Sequence, residues 1–223
     1  MESAVREVTV RNCIVAEGLS HSTHAKGEHS KGMLIYDYSR EIAVVGNLFV
    51  SNTERNPYCK PNTLVFVGNN IIYNYGRNAV HLSCVPEEYW LSGRDMRPAE
   101  VTAVDNLILA GNDSETVFPF NGWGYLYRRD NRAWSSDGRE VAELYAAQLA
   151  QLEKPPLWLS NYAPVPPENM LRDLLPRVGA RPGERDAADR RIVDGLLRRN
   201  SKIIDVPPDE FIPPPPGTDT VRP

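Results

Sequence analysis

Four segments of the chain repeat one pattern: Val8-Thr-Val-Arg-Asn12-Cys-Ile, Ile42-Ala-Val-Val-Gly-Asn47-Leu-Phe, Leu64-Val-Phe-Val-Gly-Asn-Asn70-Ile-Ile and Val101-Thr-Ala-Val-Asp-Asn106-Leu-Ile. Each is an alternating apolar strand, then an asparagine, then two apolar residues. The asparagines are spaced 35, 23 and 36 apart, which suits coils of roughly 20 to 25 residues with loops inserted in some of them. One such coil cannot bury its inward row alone, whereas stacked coils form a continuous apolar column, and asparagines stacked at a bend can bond amide to amide. The expected architecture is an all-β parallel β-helix. A β-sandwich with asparagine at unrelated turns is the competing reading, and the regular phase after each strand counts against it.

Composition divides the chain near residue 154. Fourteen of the 19 prolines lie from Pro155 onward, including Pro213 to Pro216, so the last third cannot be continuous sheet. The expected organisation is β-helix coils over 1–135, a helical and irregular segment packed on them over 136–205, and a Pro-rich tail over 206–223. Val117-Phe-Pro-Phe and Gly124-Tyr-Leu-Tyr read as further coils or a cap, and Arg139 to Gln151 has helical spacing. A second helix is expected after Asp186 as N-cap, with Ile192, Val193, Leu196 and Leu197 apolar and Arg198 and Arg199 in its last turn.

Several classes are disfavoured. A net charge of -4 gives no reason to expect nucleic acid. No apolar run is long enough to span a membrane, and the start of the chain lacks a signal-peptide pattern. Cys13, Cys59 and Cys84 have no paired metal-ligand spacing and read as small core or loop residues.

The chemistry concentrates between residues 21 and 60. His21, His24, His29, Lys26 and Lys31 fall within eleven residues, and Arg55 and Lys60 follow one coil later. Coils stack about 4.8 Å apart, so residues distant in sequence form one surface row, here a groove for an extended polyanion. Residues 1–80 contain eight Lys/Arg and seven Asp/Glu, so such a groove requires spatial segregation of charge. Zinc bound by His21, His24 and His29 is an alternative, weakened by the lack of a carboxylate pattern to orient the imidazoles.

The run from Val8 to Gly76, with Ile14-Val-Ala-Glu-Gly-Leu19, His29-Ser-Lys31-Gly32, Gly46-Asn47-Leu-Phe49, Asn52-Thr-Glu-Arg55-Asn-Pro57 and Gly68-Asn-Asn70-Ile-Ile-Tyr-Asn-Tyr-Gly76, resembles the central part of pectate lyases of polysaccharide lyase family one. Val178-Gly-Ala-Arg181-Pro-Gly-Glu-Arg185-Asp186-Ala-Ala-Asp189, ending in Ile203-Ile-Asp205, is similar to the tail after the β-helix in some bacterial relatives. The resemblance implies a right-handed parallel β-helix, secretion, and cleavage of polygalacturonate (pectin) by β-elimination. An arginine in an R-x-P sequence then removes the C5 proton. Here that is Arg55, with Lys60 as the basic residue five positions on, and Lys31 as the lysine of the preceding coil that meets the uronate carboxylate; Lys26 or His29 are alternatives to Lys31. Such a proton leaves only if the charge developing on the carboxylate is stabilised, which Lys, Arg and calcium can do. A guanidinium base runs against its usual permanent charge, which neighbouring cations would weaken.

Family members carry calcium-binding acids and a W-x-D-H motif on coils before the first strand seen here, whereas this chain has only Glu2 and Glu7 ahead of Val10. The expectation is an N-terminally shortened relative that lacks the primary calcium ligands, with a sheet edge near residues 8 to 15 that favours self-association into a homo-oligomer. A non-catalytic β-helix that binds acidic polysaccharide is the alternative function.

Overall fold

The computed structural model describes residues 4–21, 25, 27–28, 31–115, 118–141 and 148–208. Its strands are β1 (Thr9–Arg11), β2 (Ile14–Ala16), β3 (Leu34–Ile35), β4 (Ile42–Val45), β5 (Leu48–Val50), β6 (Tyr58–Cys59), β7 (Leu64–Gly68), β8 (Ile71–Tyr73), β9 (Val80–Leu82), β10 (Ala99–Val104), β11 (Leu107–Leu109), β12 (Phe120–Gly122), β13 (Gly124–Arg129), β14 (Arg132–Trp134) and β15 (Leu149–Gln151). The chain visits three sheets in turn. The first has the order β1-β4-β7-β10-β13-β15, the second β14-β11-β8-β5-β2 and the third β12-β9-β6-β3. Every strand pairing between neighbours is parallel. This is the parallel β-helix that the repeats predict, and it excludes the sandwich.

Inward positions stack in register. Phe49, Ile72, Ile108 and Ala133 form one column of the second sheet, and Ile35, Cys59 and Leu82 one of the third. All belong to one buried core. Cys59 is therefore a small core residue, its thiol pushed up to about 12 by burial.

The asparagine column is real, with one change of phase. Asn47, Asn70 and Asn106 are buried, and each donates its backbone N–H and its Nδ2 to the Oδ1 of the next rung, Asn106 to Asn131. The steps are 23, 36 and 25 residues. Below Asn47 the ladder position belongs to Cys13, whose N–H donates to Asn47 Oδ1 at 2.9 Å. Asn12, expected in the column, instead takes the preceding corner at φ 55°, matching Gly46 (70°), Asn69 (54°), Asp105 (53°) and Asp130 (55°). That corner demands a left-handed residue, and asparagine suits it as well as it suits the ladder.

The helix starting after Asp186 forms as expected. It spans Ala187–Arg198, Asp186 Oδ1 accepts from the Asp189 N–H at 2.9 Å, and Arg199 ends it in the left-handed region. The helix expected over Arg139 to Gln151 does not hold at its far end: Leu149–Gln151 is β15, paired with β13. An open sheet edge captured those residues, while 142–147 lie outside the described residues. Phe120, the last residue of the Val117-Phe-Pro-Phe run, is the inward residue of β12, whereas Val117 is outside the described residues.

The C-terminal segment decides which faces remain open. Leu157, Leu159 and Tyr162 pack on the outer side of the first sheet, around Phe66 and Val104. Met170, Leu174, Ile192, Val193 and Leu196 cover the outer side of the second, over Leu48, Val50, Ile71 and Tyr73. On the third sheet the outward residues Leu34, Tyr36 and Trp123 remain 37–39% exposed.

Candidate functional site

Strand alternation sends Tyr58 and Lys60 outward from β6, His81 and Ser83 outward along β9, and Asn121 and Trp123 outward along β12. The register sets Leu34, Tyr58, His81 and Asn121 in one cross-strand row. Tyr58 and His81 stack with centroids 4.8 Å apart and planes at 22°. Burial raises the Tyr58 phenol to about 12, and its OH donates to the Ser83 carbonyl at 3.1 Å. Burial lowers the His81 imidazole below its ordinary value; Glu54 opposes that shift and Arg55 adds to it.

Arg55 lies in the turn that enters β6, at φ 70°. Its carbonyl accepts the Met33 N–H at 2.7 Å, and the Glu54 carbonyl accepts the Gly32 N–H at 3.1 Å, which seats the Lys31 coil directly below. Only glycine fits at residue 32: a Cβ there would stand 2.3 Å from the Arg55 carbonyl oxygen. The following turn is braced by Asn56, whose Oδ1 accepts from Asn52 Nδ2 at 3.0 Å and whose Nδ2 donates to the Asn78 carbonyl at 3.1 Å. The guanidinium carbon of Arg55 lies 5.6 Å from the Tyr58 ring centroid. Its Nε is buried without a hydrogen-bond partner among the described residues.

The two expected substrate lysines are held by carboxylates. Lys31 Nζ, on a side chain 5% exposed, pairs with Glu54 at 2.9 Å and Glu28 at 3.5 Å. Arg77, from the next coil, also pairs with Glu28, at 2.7 Å. Burial alone would raise the Glu54 carboxyl; the Lys31 hydrogen bond and the charges of Lys31, Arg77 and Arg55 outweigh it and hold the group below its ordinary value. Lys60 Nζ donates to Glu88 at 2.6 Å, lies 3.5 Å from Asp37, and sits 4.5 Å from the Tyr36 ring centroid. Burial would lower its pKa, but the Glu88 hydrogen bond and the Asp37 and Glu88 charges keep it raised. Glu88 belongs to α1 (Pro86–Trp90), which the Tyr89 hydroxyl anchors by donating to buried Asp37.

The structure thus brings Lys31, Arg55 and Lys60 to one face, with charge balanced locally instead of segregated. Lys26 and His29 lie outside the described residues, as do His24 of the zinc reading and Glu2. His21 Nδ1 pairs with Asp205 at 2.8 Å. The sequence reading missed Tyr58, His81, Tyr36 and Trp123; their signal was an outward strand position, which needs the register to be seen.

Calcium finds no suitable donor set among the described residues. No three acidic, histidine or cysteine groups converge, and Glu28, Glu54, Glu88 and Asp37 are each taken by a Lys or Arg.

No family model and no curated protein matches the chain. Among solved structures it is similar to one described as a thermostable pectate lyase, PL 47, with a TM-score of 0.48 and 15% identity. That match covers 79% of this chain and 41% of the other, so the chain spans less than half of that protein's length.

Proposed function

We propose that the chain is a pectate lyase-like protein that binds an acidic polysaccharide, polygalacturonate, along the outward face of β3, β6, β9 and β12 and cleaves it by β-elimination. In this reading Arg55 takes the C5 proton of a galacturonate, the C–H electrons form the C4–C5 double bond, and the glycosidic oxygen at C4 leaves. The observation that carries it is the setting of Arg55. Its guanidinium forms no ion pair among the described residues, while Lys31 below and Arg77 above are each paired. An approaching uronate is therefore met by a cation that makes no ion pair among the described residues, beside an aromatic platform, Tyr58 on His81, that suits the apolar face of a sugar ring. Lys60 would exchange the exposed Glu88 for a substrate carboxylate and keep buried Asp37.

A second reading, binding without cleavage, is favoured by one observation: Lys31 and Lys60, the cations that would stabilise charge developing on a uronate carboxylate, are each already engaged by carboxylates. The experiment is appearance of ultraviolet absorbance from unsaturated uronide, with calcium supplied. Under the lyase reading the wild type makes product, Arg55→Ala abolishes it with much of the affinity retained, and Arg55→Lys loses orders of magnitude because reach and planar geometry change. Wild-type binding without product supports the second reading. Arg55→Ala of unchanged fold that turns over at the wild-type rate refutes the assignment.

A further inference from the structure

A second recess lies away from this face, where the helical cover of the second sheet runs out. Over β5 and β8 the cover is close-packed. Beyond it, between the second sheet and α2 (Met170–Asp173), a cavity of about 510 Å³ remains, in the range of small-molecule sites. Its sheet-side wall is Tyr73, Leu109 and Trp134, in register on β8, β11 and β14, with Leu107 beside them and Leu171 opposite. Trp134 is held in place by the Arg132 guanidinium, 4.9 Å from its ring centroid, itself fixed on Glu140 at 2.8 Å.

Among the described residues, Arg199 is the one cation that lines this cavity. Its left-handed backbone at the end of α3 (Ala187–Arg198) turns the side chain back over the sheet, with the guanidinium carbon 5.4 Å from the Tyr73 ring centroid. No carboxylate among the described residues pairs with it, and burial lowers its pKa. The Tyr73 hydroxyl beneath is buried without a well-formed hydrogen bond among the described residues. Arg199 is exposed to solvent and meets a ring face but no carboxylate among the described residues, so a ligand carboxylate would supply its ion pair. Exposed Glu168 stands on the rim and disfavours a second negative charge.

We propose that this cavity binds a small aromatic monocarboxylate, its flat body against Leu107, Leu109 and Trp134 and its carboxylate on Arg199. The site is separate from the Arg55 face and does not depend on the lyase reading. The test is calorimetric titration of the full chain with 2-naphthoate, and with 2-naphthylmethanol as a neutral body of similar shape. Saturable one-to-one binding of 2-naphthoate is expected, weakened at least about ten-fold by Arg199→Gln, whereas the alcohol binds both proteins equally. Leu171→Trp, which fills the cavity from the helix side, should abolish binding of both. Unchanged circular dichroism and melting temperature establish that each variant is folded. Absence of saturable 2-naphthoate binding to wild type, or equal affinity in Arg199→Gln, overturns the proposal.

Discussion

Replacing Asn70 by alanine tests the asparagine ladder at its centre. Asn70 is 0% exposed. Its side chain donates to the Val44 carbonyl at 2.9 Å and to Asn106 Oδ1 at 3.0 Å, and it accepts from Asn47 N–H at 3.0 Å and Asn47 Nδ2 at 3.1 Å. Alanine removes all four bonds. At about 1 kcal/mol net each, the loss is roughly 4 kcal/mol, much of it the cost of burying Asn47 N–H with no acceptor. Asn131→Ala removes three bonds at a half-exposed rung that water can reach, so about half that loss is expected. The assay is equilibrium urea unfolding followed by circular dichroism, with unchanged m-values required for the comparison. A loss below about 1 kcal/mol for Asn70→Ala, or equal losses for the two rungs, would refute the argument that buried amide satisfaction holds the coils together.

Gly32→Ala should push against the Arg55 carbonyl, 2.3 Å from the added Cβ, costing about 1–3 kcal/mol in urea unfolding; product formation falls further than that loss explains, and unchanged activity would show that the Arg55 turn tolerates displacement. Glu54 has a depressed carboxyl pKa, so its contribution to stability is present above its unfolded value of 4.5 and is lost as pH falls through the folded one; Glu54→Gln should flatten stability against pH below 4.5, read from melting temperatures across an acid series. His81 is likewise depressed, so its contribution is present above 6.5 and declines as pH falls toward the folded value; His81→Gln should remove that decline, and an unaltered profile would place the titration elsewhere. Calcium at low millimolar concentration should raise the melting temperature by less than about one degree, because a ligand stabilises in proportion to its binding to the folded state; a shift of several degrees would reveal ligands not identified among the described residues.

What the sequence alone determined is the solenoid. A buried amide stack needs the same residue type at the same point of every coil, so Asn47, Asn70 and Asn106 advertise the repeat despite unequal loops. The second helix was legible for a similarly local reason, since its cap and apolar stripe lie within one short segment. Asn12 was misplaced because asparagine also suits the left-handed corner one residue earlier, and identity does not distinguish the two uses. Leu149 was misread because its partner is a strand edge more than twenty residues away.

The site depended far more on tertiary structure. Arg55, Lys31 and Lys60 stood out as cations, but their surroundings did not. Glu88 reaches Lys60 from a helix 28 residues further on, Glu54 turns back to Lys31, and the Tyr58 and His81 rings meet only through strand register. Coil-to-coil register sets which side chains face one another, and inserted loops of unequal length hide that register from linear spacing. Charge balance at the site is therefore a property of stacked neighbours, while the stacking itself is written in each coil.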